Sequence, residues 1–280
     1  MYKRQAVNST GGIAIPLLLE KLGVKTNNIE KLFCEPNGYF PHNPEPLPEN
    51  LTEIKSIIQN GSYDLGIVVD PDVDRLAFVT NDGRAFGEEY TLVSIADYVL
   101  SKQKGDTVSN LSSTKALRDI TEKHNCTYHA SAVGEVNVVK MMKETNAVVG
   151  GEGNGGIILP ELHYGRDALV GIALFLSYLA EYNKPSAILR NSYPKYFIAK
   201  NKIELTPEID IDTLLEKMEL KYKNFPTNTI DGVKIEFDNS WVHMRKSNTE
   251  PIIRIYAEAD SKSTAEHLAN KIIQDMQECI

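Results

Sequence analysis

The chain has little of what would place it outside a cell, in a membrane or on nucleic acid. Its three cysteines, Cys34, Cys126 and Cys279, form no CxxC pair. An odd, scattered set cannot build a disulfide framework and reads as reduced thiols in a cytoplasmic protein. Positive charge is also short: 30 Lys and Arg stand against 38 Asp and Glu, a formal net charge of −8. Nucleic acid is thereby excluded as a partner, because a phosphate backbone needs a basic footprint. A small phosphorylated ligand is not excluded, since a few local arginines can hold it. No apolar run is long enough for a bilayer. The most apolar stretch, residues 168–180, is interrupted by Ser177; it falls short of the ~20 residues a span needs and reads as a buried helix. The opening Met1-Tyr2-Lys3-Arg4-Gln5 has no apolar segment for a signal peptide. His163 and His243 have no second metal ligand at useful spacing and read as structural or contact residues.

What is present is organised around Ile67-Val68-Val69-Asp70-Pro71-Asp72-Val73-Asp74-Arg75. A β-branched run, the mark of a buried strand, ends in three carboxylates at alternate positions, then an arginine. A tight loop, which Pro71 favours through its fixed φ, lets all three converge. Two carboxylates ~4 Å apart repel by about 4 kcal/mol at an effective dielectric near 20, so three together call for a cation. Oxygen-only ligands without His or Cys point to Mg²⁺ rather than Zn²⁺. A calcium EF-hand loop fails on the spot, because its required Gly and Glu positions hold Arg75 and Asn81. An aspartyl-phosphate phosphatase, with Asp70 as nucleophile and Asp72 as acid, is an alternative on four residues. That chemistry leads us to expect Thr or Val where Asp74 stands.

At 280 residues, 42% hydrophobic and 24% charged, the chain is long enough for two or three cores. The order reads strand (Ala6-Val7), Gly-rich turn, helix with Ile15, Leu18, Leu19 and Leu22 on one face, strand (Leu32-Phe33-Cys34), then a Pro-rich loop over residues 36–48. Helix 51–59 and strand 65–69 follow, which predicts a parallel sheet with the acidic loop at the carboxyl end of a strand. A hairpin over 76–86, helix 89–100, strand 107–111, helix 115–123, strand 127–129, helix 135–143 and strand 147–149 repeat the same grammar. From Pro194 it changes to strand 196–203, helix 211–220, strands 232–237, 241–244 and 252–257, and helix 263–277: a small α+β domain. Residues 185–194 read as the linker. The fold class is therefore α/β, two consecutive three-layer α/β/α domains followed by an α+β domain with an antiparallel sheet.

Two further stretches carry chemistry. Gly150-Gly151-Glu152-Gly153-Asn154-Gly155-Gly156 lets backbone approach a ligand closely, with Glu152 and Asn154 suited to hydroxyl groups. A plain hairpin turn between Val149 and Ile157 is the competing reading. Arg245-Lys246-Ser247-Asn248-Thr249-Glu250-Pro251 offers charge plus several donors, as a phosphate dianion needs. A solvated polar hairpin is its competitor.

Together these three loops resemble one family, the α-D-phosphohexomutases. The family carries a metal loop of the form DPDxDR, a sugar loop of the form GExSG and a phosphate loop of the form RxSGTEP. Here they are residues 70–75, 151–155 and 245–251, in the same order. The resemblance implies an intramolecular phosphotransferase: a phosphoserine donates phosphoryl to a hexose phosphate, and a bisphosphorylated intermediate returns it, moving phosphate between positions 1 and 6. It implies that Asp70, Asp72 and Asp74 hold Mg²⁺ and that Arg75 is catalytic. Glu152, Asn154 and Arg166 would bind the sugar, and Arg245, Ser247, Asn248 and Thr249 its phosphate. Asn154 stands for the family's usual Ser and Asn248 for its Gly. The Gly-Glu-Gly-Asn-Gly-Gly form, with Gly165-Arg166-Asp167 after it, is most similar to the phosphoglucosamine mutase-like branch. Contacts to O3 and O4 are blind to the substituent at C2, so glucose, mannose and glucosamine phosphates all stay open.

The family's first domain, with its Thr-Ala-Ser-His-Asn-Pro nucleophile loop, has no counterpart in these residues; Pro41-His42-Asn43-Pro44 imitates only the end of that motif. The resemblance thus implies a C-terminal portion lacking its N-terminal domain partner. Its parts are an incomplete family domain 2 (1–86), domain 3 (87–192) and domain 4 (193–280), with Met1 to Gln5 as a junction. Such a chain binds metal and sugar phosphate with negligible turnover. A phosphosugar-binding protein without catalysis is the alternative from outside the enzymes.

Overall fold

The structure, a computed structural model, describes residues 1–204, 210–247 and 250–279. The chain divides into two compact units: Met1–Ala130 with Gly134–Pro194, and Ser131–Val133 with the residues from Lys195 on.

The first unit begins with β1 (Tyr2–Gln5), α1 (Gly11–Lys21), β2 (Ile29–Leu32), α2 (Thr52–Gln59), β3 (Leu65–Val69) and β4 (Leu76–Thr80). The sheet order is β2-β1-β3-β4; β1 is parallel to both neighbours, and β4 runs antiparallel to β3. Every residue of β3, an inner strand, and of β4, at the edge of the sheet, is buried, as expected of strands covered on both faces. The acidic loop is therefore a hairpin connection, with Val69 paired to Leu76 at its neck. The expected 76–86 hairpin also forms, through the Val79–Ala85 bridge. The strand expected at Ala6-Val7 lies earlier, because Val7 and Asn8 take left-handed φ of 42° and 57°. Residues expected as a junction thus form an inner strand, where buried Arg4 donates to the Gly11 and Gly12 carbonyls. Phe33, with φ 48°, likewise ends β2 two residues before the predicted strand does. Leu22, expected on the buried face of α1, is exposed.

The unit continues with α3 (Glu88–Lys102), β5 (Thr107–Asn110), α4 (Ala116–Lys123), β6 (Tyr128–Ser131), α5 (Glu135–Thr145), β7 (Val149–Glu152), β8 (Gly156–Ile158), α6 (Ala168–Tyr182) and α7 (Ser186–Asn191). Its sheet order is β6-β5-β7-β8, with β7 parallel to β5 and antiparallel to β8. The strand predicted to stop at Val149 instead starts there and runs through the glycines. Phe78 of β4 stacks on Phe175 of α6 at 3.9 Å and both meet Phe86 edge to face, giving the two sheets a common core. The expected linker is no linker over most of its length. Residues 186–191 are helix α7, whose buried Ser186 donates to the Asp64 carbonyl at 2.9 Å, while Ala187 N–H donates to Asn81.

The second unit holds β9 (Phe197–Glu204), α8 (Ile211–Lys221), β10 (Thr227–Asn228), β11 (Val233–Glu236), β12 (Trp241–Lys246), β13 (Ile252–Ala259) and α9 (Lys262–Cys279). Its antiparallel sheet, ordered β10-β11-β12-β13-β9, matches the expected α+β layout apart from the short edge strand β10. Leu214 and Met218 of α8, Ile272 and Met276 of α9, and Val242, Met244, Ile253 and Ile255 of the sheet form its core. Among the described residues no helix is long and apolar enough to cross a membrane.

Candidate active site

The acidic loop closes on itself through Asp70. Its Oδ1 accepts the N–H groups of Asp74 (3.1 Å) and Arg75 (3.0 Å), drawing the chain back after Pro71. The Pro71 carbonyl accepts the hydroxyls of Ser9 (2.6 Å) and Thr10 (2.9 Å) from the turn before α1. The Val73 carbonyl accepts the Ala168 N–H at the start of α6 (3.0 Å). With Val73 at φ 62°, Asp70, Asp72 and Asp74 each bring one oxygen within 4.8 Å of the others.

Asp70 is buried and Asp72 exposed. Burial first, then the neighbouring Asp74 carboxylate and the charge of Asp72, push the Asp70 carboxyl up to about 7, against the opposing Arg75 N–H. Asp74 Oδ1 is buried and accepts no hydrogen bond from the described residues. A carboxylate that resists ionisation beside an oxygen without a donor fits a hard divalent cation, and the all-oxygen donor set fits Mg²⁺. Arg75 Nε lies 3.5 Å from Asp70 Oδ2 and 3.7 Å from Asp74 Oδ1, while its Nη1 donates to Glu45 of the Pro-rich loop at 2.9 Å.

The glycine-rich stretch is a hairpin, as the competing reading had it, and it is seated on the acidic loop. Leu76 N–H donates to the Gly155 carbonyl at 3.1 Å, and Arg75 bridges to Gly156. A Cβ on Gly155, whose φ is +88°, would lie 2.2 Å from the Leu76 carbonyl oxygen; a Cβ on Gly153 would fall on the Glu89 carboxylate. Glu152 is buried at the end of β7, accepting from Asn110 (3.0 Å) and Arg166 (3.1 Å). Asn154 in the turn accepts the Gly156 N–H. Arg166 pairs with Asp74, with Glu152 and, at 3.2 Å, with Glu135.

Sequence reasoning missed Asn110, Ser113, Glu135 and Glu45, which hold the hairpin and both arginines in place, and Glu89, which lies against Gly153 and accepts the Thr114 N–H.

Arg245 and Lys246, expected in a loop, end strand β12 in the second unit. Ser247 is buried, its N–H donating to the Ile252 carbonyl at 3.0 Å. The buried Arg245 Nε donates to no acceptor among the described residues. Asn248 and Thr249 lie outside the described residues. His243 is structural as expected: burial pushes it down to about 4, and its Nε2 lies 2.6 Å from the Asp231 carbonyl.

Comparison with known proteins places this geometry in a class. Models of the phosphoglucomutase/phosphomannomutase family match along the chain: alpha/beta/alpha domain II over residues 4–83, alpha/beta/alpha domain III over 87–196 and the C-terminal domain over 202–274. The chain belongs to this family. A phosphoglucomutase/phosphomannomutase of Thermococcus kodakarensis is 34% identical over 277 residues, covering 98% of this chain and 60% of that protein. A phosphoglucosamine/phosphogalactosamine mutase of Sulfurisphaera tokodaii is 34% identical over 274 residues, covering 95% and 59%. The crystal structure of a family protein from Burkholderia thailandensis superposes with a TM-score of 0.86 at 26% identity, over 99% of this chain and 60% of that one. The chain thus spans about 60% of the length of these relatives.

Proposed function

We propose that these residues supply the metal, sugar and phosphate sites of a hexose-phosphate mutase that exchanges phosphoryl between positions 1 and 6. One observation carries the reading: three convergent carboxylates share a loop with the seat of the Glu152 hairpin. Asp70, Asp72 and Asp74 would hold Mg²⁺, which when bound supplies charge neutralisation to a phosphoryl group in transfer. Arg75, already aimed along Asp70 and Asp74, faces the same point and stabilises negative charge there. Glu152 and Asn154 accept sugar hydroxyls. Arg245 and Ser247, with Asn248 and Thr249, take the phosphate that does not react, the Nε of Arg245, which has no acceptor among the described residues, being a donor suited to it.

A phosphatase that attacks through Asp70 is less well supported. That carboxylate is buried, with one oxygen bound by two N–H groups and the other facing Arg75, which closes the approach a nucleophile needs. The 280 residues contain no Ser-His-Asn-Pro run, and by themselves bind without turning over.

Calorimetric titration with Mg²⁺, and with glucose, mannose and glucosamine 1-phosphates in its presence, tests this. Mg²⁺ binding is expected in the wild type and not in Asp70→Asn, and sugar-phosphate binding is expected to fail in Glu152→Gln. Mg²⁺ binding unaltered in Asp70→Asn would overturn the metal assignment. Coupled turnover of glucose 1-phosphate by the 280-residue chain would overturn the inactivity.

A further inference from the structure

One guanidinium meets carboxylates from three separate segments. Arg166 follows β8 and precedes α6; it pairs with Asp74 of the acidic loop, Glu152 of the glycine hairpin and Glu135 at the start of α5. Its side chain is 17% exposed. Its aliphatic stem occupies the place of a missing side chain, because a Cβ on Gly156 would lie 2.4 Å from Arg166 Cδ. The stem is thus gripped by the hairpin backbone while the head reaches into the acidic loop.

We infer that Arg166 is a positioning residue through which cation binding at Asp70, Asp72 and Asp74 is coupled to the order of the glycine hairpin. The two oxygens of Asp74 have different fates. Oδ2 is taken by Arg166, whereas Oδ1 has no hydrogen-bond donor among the described residues and faces the same Arg75 Nε as Asp70 Oδ2. Arg166 therefore fixes the rotation of that carboxylate and leaves the cation the oxygen that points toward Asp70. Partners that orient a metal ligand typically govern affinity by an order of magnitude or more.

The coupling follows from shared geometry. The rotation of Asp74 that Arg166 sets is the one that would serve a cation, so a bound cation would hold Asp74, and through it the guanidinium, in place. The same guanidinium pairs with Glu135 and Glu152, so fixing it steadies the hairpin that carries Glu152. By reciprocity, whatever orders Glu152 must favour the cation. This rests on the proposed reading of the aspartates as a cation site, but not on the identity of the sugar.

The test uses Mg²⁺ as probe on the full 280-residue chain, with calorimetry for affinity and hydrogen exchange for peptides covering residues 150–158. In the wild type, saturating Mg²⁺ slows exchange of the hairpin roughly 5-fold, the lower end of ordinary coupling. In Arg166→Gln, Mg²⁺ binds roughly 10-fold more weakly and hairpin exchange no longer responds to it. Arg166→Lys keeps the charge without the fork and lies between the two, which guards against a folding defect in the first variant. Arg166→Gln with wild-type affinity, or a hairpin that still responds to Mg²⁺ in it, would overturn the inference. Wild-type binding of Mg²⁺ without a hairpin response overturns the coupling alone. No Mg²⁺ binding at all removes the metal reading and this inference with it.

Discussion

The two hairpins that meet at the candidate site are held shut by opposite means. The connection from β3 to β4 is closed by side-chain and backbone acceptors: Asp70 takes two N–H groups, and the Pro71 carbonyl takes two hydroxyls. The connection from β7 to β8 is closed by space, at glycines whose missing Cβ atoms would strike Leu76 and Glu89. In the first, scaffold and chemistry reside in the same atoms, so a change at Asp70 is felt twice. In the second, the scaffold is an absence, and the chemistry sits on Glu152 and Asn154 beside it. The first should answer to charge and pH, and the second to volume.

The largest break comes from volume. Gly155→Ala meets a left-handed φ of +88° and a carbonyl oxygen at 2.2 Å, both backbone features that no rotamer can relieve. We expect a loss of about 3 kcal/mol or more in urea unfolding, at the upper end for single substitutions. A loss below about 1 kcal/mol would mean that the hairpin does not rest on Leu76.

Charge comes next. Asn at position 70 still offers an oxygen to the N–H groups of Asp74 and Arg75, so the loop stays closed while the penalised charge disappears. The sign follows from the carboxyl held near 7. Folding favours its protonated form, so the stabilising contribution is complete below the ordinary carboxylate value of about 4 and is lost as pH rises through 7. Without metal, Asp70→Asn should match the wild type near pH 4 and exceed it by about 2 kcal/mol at pH 8. Mg²⁺ should reverse that order above pH 7 by stabilising only the wild type. Thermal melts of both proteins across pH, with and without Mg²⁺, check this. A constant difference between them would remove the titration of Asp70 as the cause.

A smaller volume effect separates the glycines. The Cβ of Gly153→Ala strikes only the Glu89 carboxylate, the movable end of a side chain. Its expected cost is about 1 kcal/mol, and less in a Glu89→Ala background, because neighbours in contact are not additive. Full additivity in that double-mutant cycle would place the clash elsewhere.

The acidic loop was legible in sequence because its signal is local: an apolar β-branched lead-in and carboxylates at every second residue. The antiparallel sheet of the second unit was legible for the same reason of periodicity. The glycine hairpin was half legible. Glycines read as a turn, yet β7 runs through Gly150 and Gly151, because its pairing with β8 overrides weak strand propensity. Residues 185–194 misled through their prolines, while the burial of Ser186 depends on Asp64 and Asn81, over a hundred residues away. Asn110, Glu135 and Glu45 were invisible because each reaches the site from an element whose own pattern gives no sign of it. Arg166 was singled out as a sugar contact, but its pairing with Asp74, Glu135 and Glu152 joins three separate segments and left no local sign.

The smallest expected effect lies at the rim of the acidic loop. Glu45 comes from the Pro-rich segment and meets Arg75 at 2.9 Å, with 49% of its side chain exposed. An exposed pair contributes little, because solvent screens it and two long side chains must be ordered. Glu45→Gln should therefore shift stability by no more than about 0.5 kcal/mol, falling further at high salt. Arg75 keeps Asp70 and Asp74 on its other edge, so Mg²⁺ affinity should stay near the wild-type value. A marked loss of Mg²⁺ affinity in this variant would show that the Pro-rich segment, and not the aspartates alone, sets the position of Arg75. The acidic hairpin would then depend on distant side chains as the glycine hairpin does, and the contrast between the two would narrow.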